Sequence, residues 1–424
     1  MVKSWEIADK IDRASSASIF FSCLFLPALM ASSGSTAYDL RMSRSPPSPV
    51  YTLRGAGAPL NTLHFSCTDV NYPLLFSGSG KGEIHMWNLN TRRAQKILEG
   101  HSGNSVIWVS TLQTASALIS QGRDMQVCLW DLTEGRSDVV DSVWTGSVGF
   151  CQCCTLEMNP GNYLLAFAGE QTEEIKIMEL PSKTLVCTLV PDAKLGMVMC
   201  IQLFQTDATS GPLLLAGYED GSLLLWDVTQ RSTVSSAKAH PEPVMCLTFD
   251  TERLRGISGS SEKKLASWAL DRQQNLQVSS RNVSGVAVLS ALLRARSSNN
   301  VTGLQAPQSS PACRKSTFAP QECPPQQALQ ILLQDCVTLV NPGVSQLCLR
   351  GDHKLLASAG WDHRVRIFGW KKLQPLAVLK YHTDMVQSVA FSDHQDPRQR
   401  LLAAGSKDQR ISLWSVFSEE PKTA

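Results

Sequence analysis

The stretch AGYEDGSLLLWDV, residues 216–228, decides how this chain is read. It opens on small residues, turns at Glu219-Asp220-Gly221, and runs as a short apolar strand into Trp226-Asp227. The layout recurs. FSGSGKGEIHMWNL carries its anchor aromatic at Trp87, ISQGRDMQVCLWDL at Trp130, ISGSSEKKLASWAL at Trp268, SAGWDHRVRIFGW at Phe368 and AAGSKDQRISLWSV at Trp414. FAGEQTEEIKIMEL is a degraded copy with Met178 in the anchor place. A catalytic motif occurs once in a chain, whereas this pattern occurs seven times.

The anchors stand 42 to 48 residues apart, except for one step of 100 between Trp268 and Phe368. A period of roughly 40–45 residues is that of a four-stranded propeller blade. Further features make the units WD repeats. An Asp stands six residues before the anchor at Asp124, Asp220, Asp362 and Asp408; a His precedes the unit at His101, His240 and His382; and Trp-Asp closes two copies, at 130–131 and 226–227. The spacing has a physical cause. A blade is too small to bury both its faces and must stack on its neighbours. Its turn between strands b and c is tight and polar, and the turn Asp can accept hydrogen bonds from turn N–H groups and from the preceding His. Blade two holds a full tetrad of His101, Ser120, Asp124 and Trp130. The set imitates a Ser-His-Asp triad, but its positions repeat with members missing (Ala404 for the Ser, Thr172 for the Asp), as a packing device does. The expected structural network adds Trp226 and Trp414 to these residues.

The fold expected is all-β: a seven-bladed WD-repeat β-propeller over 49–417, with a disordered N-terminal extension over 1–48 and a tail over 418–424. The long step between anchors is read as a disordered insertion over 281–336 between blades five and six. It is rich in Ser, Asn and Pro, has no Trp, and has room for a short helix around 326–334. The last blade lacks an outer strand after Trp414, and Val50–Arg54 is expected to supply it, closing the ring and removing an open edge.

Composition narrows the function. Of the 424 residues, 43% are apolar and 18% charged, and the net charge is +2. Bulk electrostatics therefore give no reason to expect nucleic-acid binding. Thirteen Cys, scattered through apolar strands, read as buried thiols of a reducing compartment. Cys151, Cys153 and Cys154 lack a second ligand pair at zinc spacing. The apolar run at 19–31 is too short for a bilayer, which takes about 20 residues, and balanced charges precede it, unlike a secretory leader. No cofactor, metal or membrane is expected, and the location expected is cytoplasmic and nuclear.

The runs LLFSGS (74–79), QGRDMQVCLWDLTEGRS (121–137), LLLAGYEDGS (213–222), SAGWDHRVRIF (358–368) and LLAAGSKDQRISLWS (401–415) carry a resemblance to the guanine nucleotide-binding protein subunit beta-like protein 1 family of WD-repeat proteins. It covers residues 49–280 and 337–417. The resemblance implies a non-enzymatic scaffold related to a fungal subunit of a chaperone-linked assembly. That assembly serves phosphatidylinositol-3-kinase-like protein kinases, so the implied role is a co-chaperone or adaptor, monomeric, whose partners are assembly factors and large kinases. Two other readings compete. A G-protein β-like signalling subunit needs a long N-terminal heptad helix, and residues 1–48 show no heptads. A substrate receptor of a cullin-type ubiquitin ligase commonly ends a third strand in Trp-Asp-x-Arg. Here Trp130-Asp131 and Trp226-Asp227 lack the Arg, and Trp361-Asp362-His363-Arg364 falls in a turn. The partner surface expected is the face of the b–c turns, with Lys81, Arg123, Trp361, Arg364, Lys407 and Arg410 on one arc. The other arc would carry Tyr218 with Glu219, Glu242 and Glu262.

Overall fold

The structure is a computed structural model and describes residues 47–66, 74–112, 117–207, 210–271, 329–394 and 400–416. The extension, the tail and most of the insertion lie outside these. The described chain forms seven four-stranded antiparallel sheets. Each is a blade whose strands a to d run from the channel to the rim. Blade two, for example, comprises Val106–Leu112, Ala117–Gly122, Gln126–Asp131 and Asp138–Trp144.

Burial follows strand position. Strand b of blade four (Leu213–Tyr218) and of blade six (Leu355–Gly360) is buried at every residue, because a neighbouring blade covers each face. Strand d of blade one (Arg93–Glu99) and of blade two buries one residue in seven. Hence strand b reads as continuous small and apolar residues and strand d as a polar strip. The core clusters run between blades. Phe76, Ile84 and Leu98 of blade one pack with Val106, Leu118 and Trp130 of blade two. Gly217 marks how closely blades approach, since a Cβ there would lie 2.7 Å from Cγ1 of Val244 in the next blade. In blades one to six the ladder between strands c and d slips beside the anchor residue, for example between Leu129 and Trp130. Such a bulge increases local twist.

The ring closes as expected. Tyr51–Leu53 pairs antiparallel with strand c of blade seven (Ile411–Trp414), with Leu53 opposite Ile411. Leu53, Ile411 and Leu413 then pack with Leu60, Leu75 and Trp87 of blade one.

The insertion needs correction. Residues 330–338, assigned in part to a disordered segment and in part to a helix, form strand d of blade five (Gln330–Thr338). It pairs with strand c (Lys264–Asp271), with Asp271 opposite Gln330, and buries Ile331 beside Trp268 and Leu270. Without it, strand c of blade five would be a bare edge. In chain order, residues 272–328 thus fall between strands c and d of blade five rather than between two blades.

Candidate functional site

The four turn Asp residues each organise a different network. In blade two, His101 Nδ1 lies 3.0 Å from Asp124 Oδ2, and its Nε2 lies 2.8 Å from Ser120 Oγ. The Trp130 indole N–H donates to the same oxygen at 2.8 Å. With His101 Nδ1–H donating to Asp124, the Ser120 hydroxyl donates to Nε2 and accepts from Trp130, so every polar atom is paired. His101 and Ser120 have no exposed surface, so no substrate reaches this Ser-His-Asp set.

Blade seven reaches the same end by another route. His382 bonds Asp408 at 2.9 Å, but Ala404 occupies the serine position on strand b. Ser412, two residues before the anchor on strand c, stands in: its Oγ lies 2.8 Å from His382 Nε2 and accepts from Trp414 at 2.8 Å. In blade six the corresponding strand-c position holds Arg366, which grips Asp362 with two bonds of 3.0 and 2.6 Å, and Asn341 donates to the same carboxylate at 2.8 Å. Burial works to raise the pKa of Asp362 and of Asp408. These donors outweigh it and leave both carboxyls below their ordinary value.

Blades four and five lack part of the set. In blade five, His240 bonds Ser258 at 2.9 Å, and burial lowers its pKa to about 4, while the Trp268 N–H is left without a partner. In blade four, Asp220 accepts from Ser222 and Lys238 rather than from a His. Trp226 is buried there, and its N–H has no hydrogen-bond partner.

The Cys trio stays apolar. Cys151 and Cys153 are buried free thiols, and burial pushes the pKa of Cys154 up to about 12. Among the described residues, only Asp250, Glu252 and His353 cluster as metal ligands would. There the Asp250 carboxylate is already engaged by Arg253 at 2.9 Å and by the Trp370 N–H at 2.7 Å, which makes the group a clasp between blades five and six.

The b–c rim carries most of the expected partner residues. Lys81 and Arg123 are exposed there, and Arg364, Lys407 and Arg410 are half-buried. Tyr218 is a correction. It has no exposed surface, because it is the last residue of strand b in blade four, opposite Val198, and it packs in the core with Trp226. Trp361 is half-buried, and its ring lies over Gly343. A Cβ on Gly343, whose φ is +88°, would meet that ring at 2.2 Å, so Trp361 has a packing role as well. The sequence reading missed an exposed apolar stretch, one residue of which lies against Arg123. Trp144 (59% exposed), Val148 (61%) and Phe150 (46%) lie at the end of strand d of blade two and in the loop after it. The Arg123 guanidinium stacks 4.6 Å over the Phe150 ring. Val190 and Val340, in or beside the corresponding loops of later blades, are exposed too. The signal was present in TGSVGF (145–150), a loop with no charged residue.

A closed ring of seven such blades, with turn Asp residues tied to His, Ser and Trp, is a WD-repeat propeller, a scaffold that presents loops on a rigid body. The family model "WD domain, G-beta repeat" matches residues 335–369 and 373–415. The chain is 44% identical over 376 residues to guanine nucleotide-binding protein subunit beta-like protein 1 of Mus musculus, covering 88% of this chain and 97% of that protein. It therefore belongs to the guanine nucleotide-binding protein subunit beta-like protein 1 family. It is also 25% identical to ASTRA-associated protein 1 of Penicillium rubens and of Schizosaccharomyces japonicus, over 88% of this chain in each case and 98% and 99% of theirs. The β-propeller domain of Myceliophteria thermophila Cps50 (Swd1) shares the fold, with a TM-score of 0.60, 16% identity and coverage of 87% of this chain and 99% of that one.

Proposed function

We propose that this chain is a non-enzymatic adaptor that holds protein partners on its b–c rim, and that it acts as a co-chaperone in the maturation of phosphatidylinositol-3-kinase-like protein kinases in cytoplasm and nucleus. One observation carries the rim assignment. Phe150, exposed with Trp144 and Val148 in one short stretch of chain, carries the Arg123 guanidinium over its ring, and aromatic and Arg side chains are where interface energy concentrates. The co-chaperone part is supported by the family resemblance and by the fungal relatives' name, which declares association with ASTRA. The test is affinity capture from cells followed by mass spectrometry, with localisation by imaging. A Trp144→Ala, Phe150→Ala variant is expected to lose the large kinases and their assembly factors while melting like the intact chain. Retained capture by that variant, or loss on charge reversal at Lys96 of an outer strand and Lys183 of a c–d turn, would place the contact elsewhere.

A further inference from the structure

We infer that the seam where the ring closes is a docking site for an acidic segment of a protein partner, held by Arg54 and Arg410 around the Tyr381 hydroxyl. This deepens the rim reading above and rests on it. The register carries the argument. Leu53 faces Ile411 as the last pair of the ladder, and Arg54 and Arg410, the residues next to them at the rim end of the seam, both come close to Tyr381. Leu53 and Ile411 both point into the core towards blade one, so Arg54 and Arg410 share the opposite side with Thr52 and Ser412. Tyr381 meets them there, with its ring edge-on to His382 at 5.2 Å.

Like charges gathered at the end of one strand pair are unfavourable. Among the described residues, neither guanidinium forms an ion pair with a carboxylate. Of the nearby acids, Asp408 is engaged by His382 and the Thr383 N–H, and Asp384 accepts the Met385 N–H. Burial works to raise the pKa of Tyr381. Hydrogen bonds from Thr52 and Arg54 and the charges of Arg410 and Arg54 outweigh it and lower it, as expected of a phenol between two cations. Two planar forks and a hydroxyl with no acid among them form a receptor for carboxylates, which guanidinium binds in bidentate fashion. Strand geometry sets the partner's form: an extended peptide that lays successive Glu or Asp side chains along the rim.

The experiment is fluorescence anisotropy on the full chain with a labelled Glu-Gly repeat peptide and its Gln-Gly counterpart. The Glu peptide is expected to bind and the Gln peptide not to. Arg54→Gln with Arg410→Gln should weaken binding by about tenfold or more, while a charge-matched remote pair, Arg231→Gln with Lys371→Gln, should leave it unchanged. Arg410→Glu should abolish binding yet raise the melting temperature, because Arg54 gains an opposite charge; this separates loss of the site from loss of the fold. Equal weakening by the seam and remote pairs, or none by the seam pair, overturns the inference. Displacement of the peptide by inorganic phosphate beyond that by chloride at matched ionic strength makes the seam a free-anion site and overturns it too. Partner capture dependent on Phe150 is scored on the same preparations, so the seam can fail while the rim reading stands.

Discussion

The turn Asp residues do not have equal work. Asp362 shares its carboxylate with Arg366, and both side chains are nearly enclosed. Asp362→Ala is expected to cost about 3–5 kcal/mol, because it strands a buried guanidinium. Asp124→Ala and Asp408→Ala each take one hydrogen-bond partner from a buried His and should cost about 1–3 kcal/mol. Asp220, more open and held only by Ser222 and Lys238, should cost least. Chemical denaturation of the four variants checks this order, and equal midpoints would refute it. Blade seven gives a sharper comparison. Ser412→Ala leaves both His382 Nε2 and the Trp414 N–H unpaired, and adding Ala404→Ser restores a hydroxyl where blade two has one. The double variant is expected to recover most of the loss. Buried histidines set the pH response. His64, packed against Thr111, and His240 both have folded pKa values of about 4, below the roughly 6.5 of an unfolded chain. Between those values the unfolded chain takes up protons that the folded one refuses. Stability is therefore complete above about pH 6.5 and falls towards pH 4, by about 1.4 kcal/mol per pH unit for each His. Melting temperatures between pH 7 and 4.5 test this, and His240→Asn should flatten the slope.

At the scale of strands, two elements come from far away in the chain. Deleting 1–46 leaves Tyr51–Leu53 in place and should be tolerated. Deleting 1–56 uncovers strand c of blade seven and should produce aggregates, which light scattering would detect. In blade five, Asp271 faces Gln330, so a short Asn-Gly turn can replace 272–328 and keep the hairpin. That variant should melt cooperatively at or above the temperature of the intact chain, whereas extending the excision through 338 should not. These two strands show where the sequence was legible and where it was not. The anchors at Trp87, Trp130, Trp226, Trp268, Phe368 and Trp414 were plain because each closes a local unit of strand, turn and strand. The closing strand was found because a ring needs one. Strand 330–338 was missed because its partner lies on the other side of a long polar run, and pairing across such a distance leaves no local period. Tyr218 was misplaced because counting back from Trp226 put it in a turn, whereas strand b of blade four continues through it. Ser412 went unseen as a relay member because the expected hydroxyl belongs to strand b.

At the scale of the molecule, the two faces of the ring differ in what enters them. Strand d starts on the face of the c–d turns, so the chain joins the propeller there both at Tyr51 and at Gln330. The rim with Arg123, Phe150, Arg54 and Arg410 is the other face. Removing 1–46 and replacing 272–328 together should therefore leave partner capture through Phe150 unchanged, and a loss would show that those segments take part in binding.

The pairing of Leu53 with Ile411 also fixes when this protein can finish. A ribosome delivers the first of these strands well before the second, with all seven blades' inner strands between them. Throughout that interval the nascent chain holds an unsatisfied strand and behind it an open series of blades, each leaning on a neighbour not yet made. Premature release at any codon before 411 yields an unclosed arc with sticky ends. Closure also needs contacts of very large sequence separation, which form slowly. A protein proposed to attend the maturation of others is thus itself a slow closer that depends on shielding until strand c of blade seven emerges.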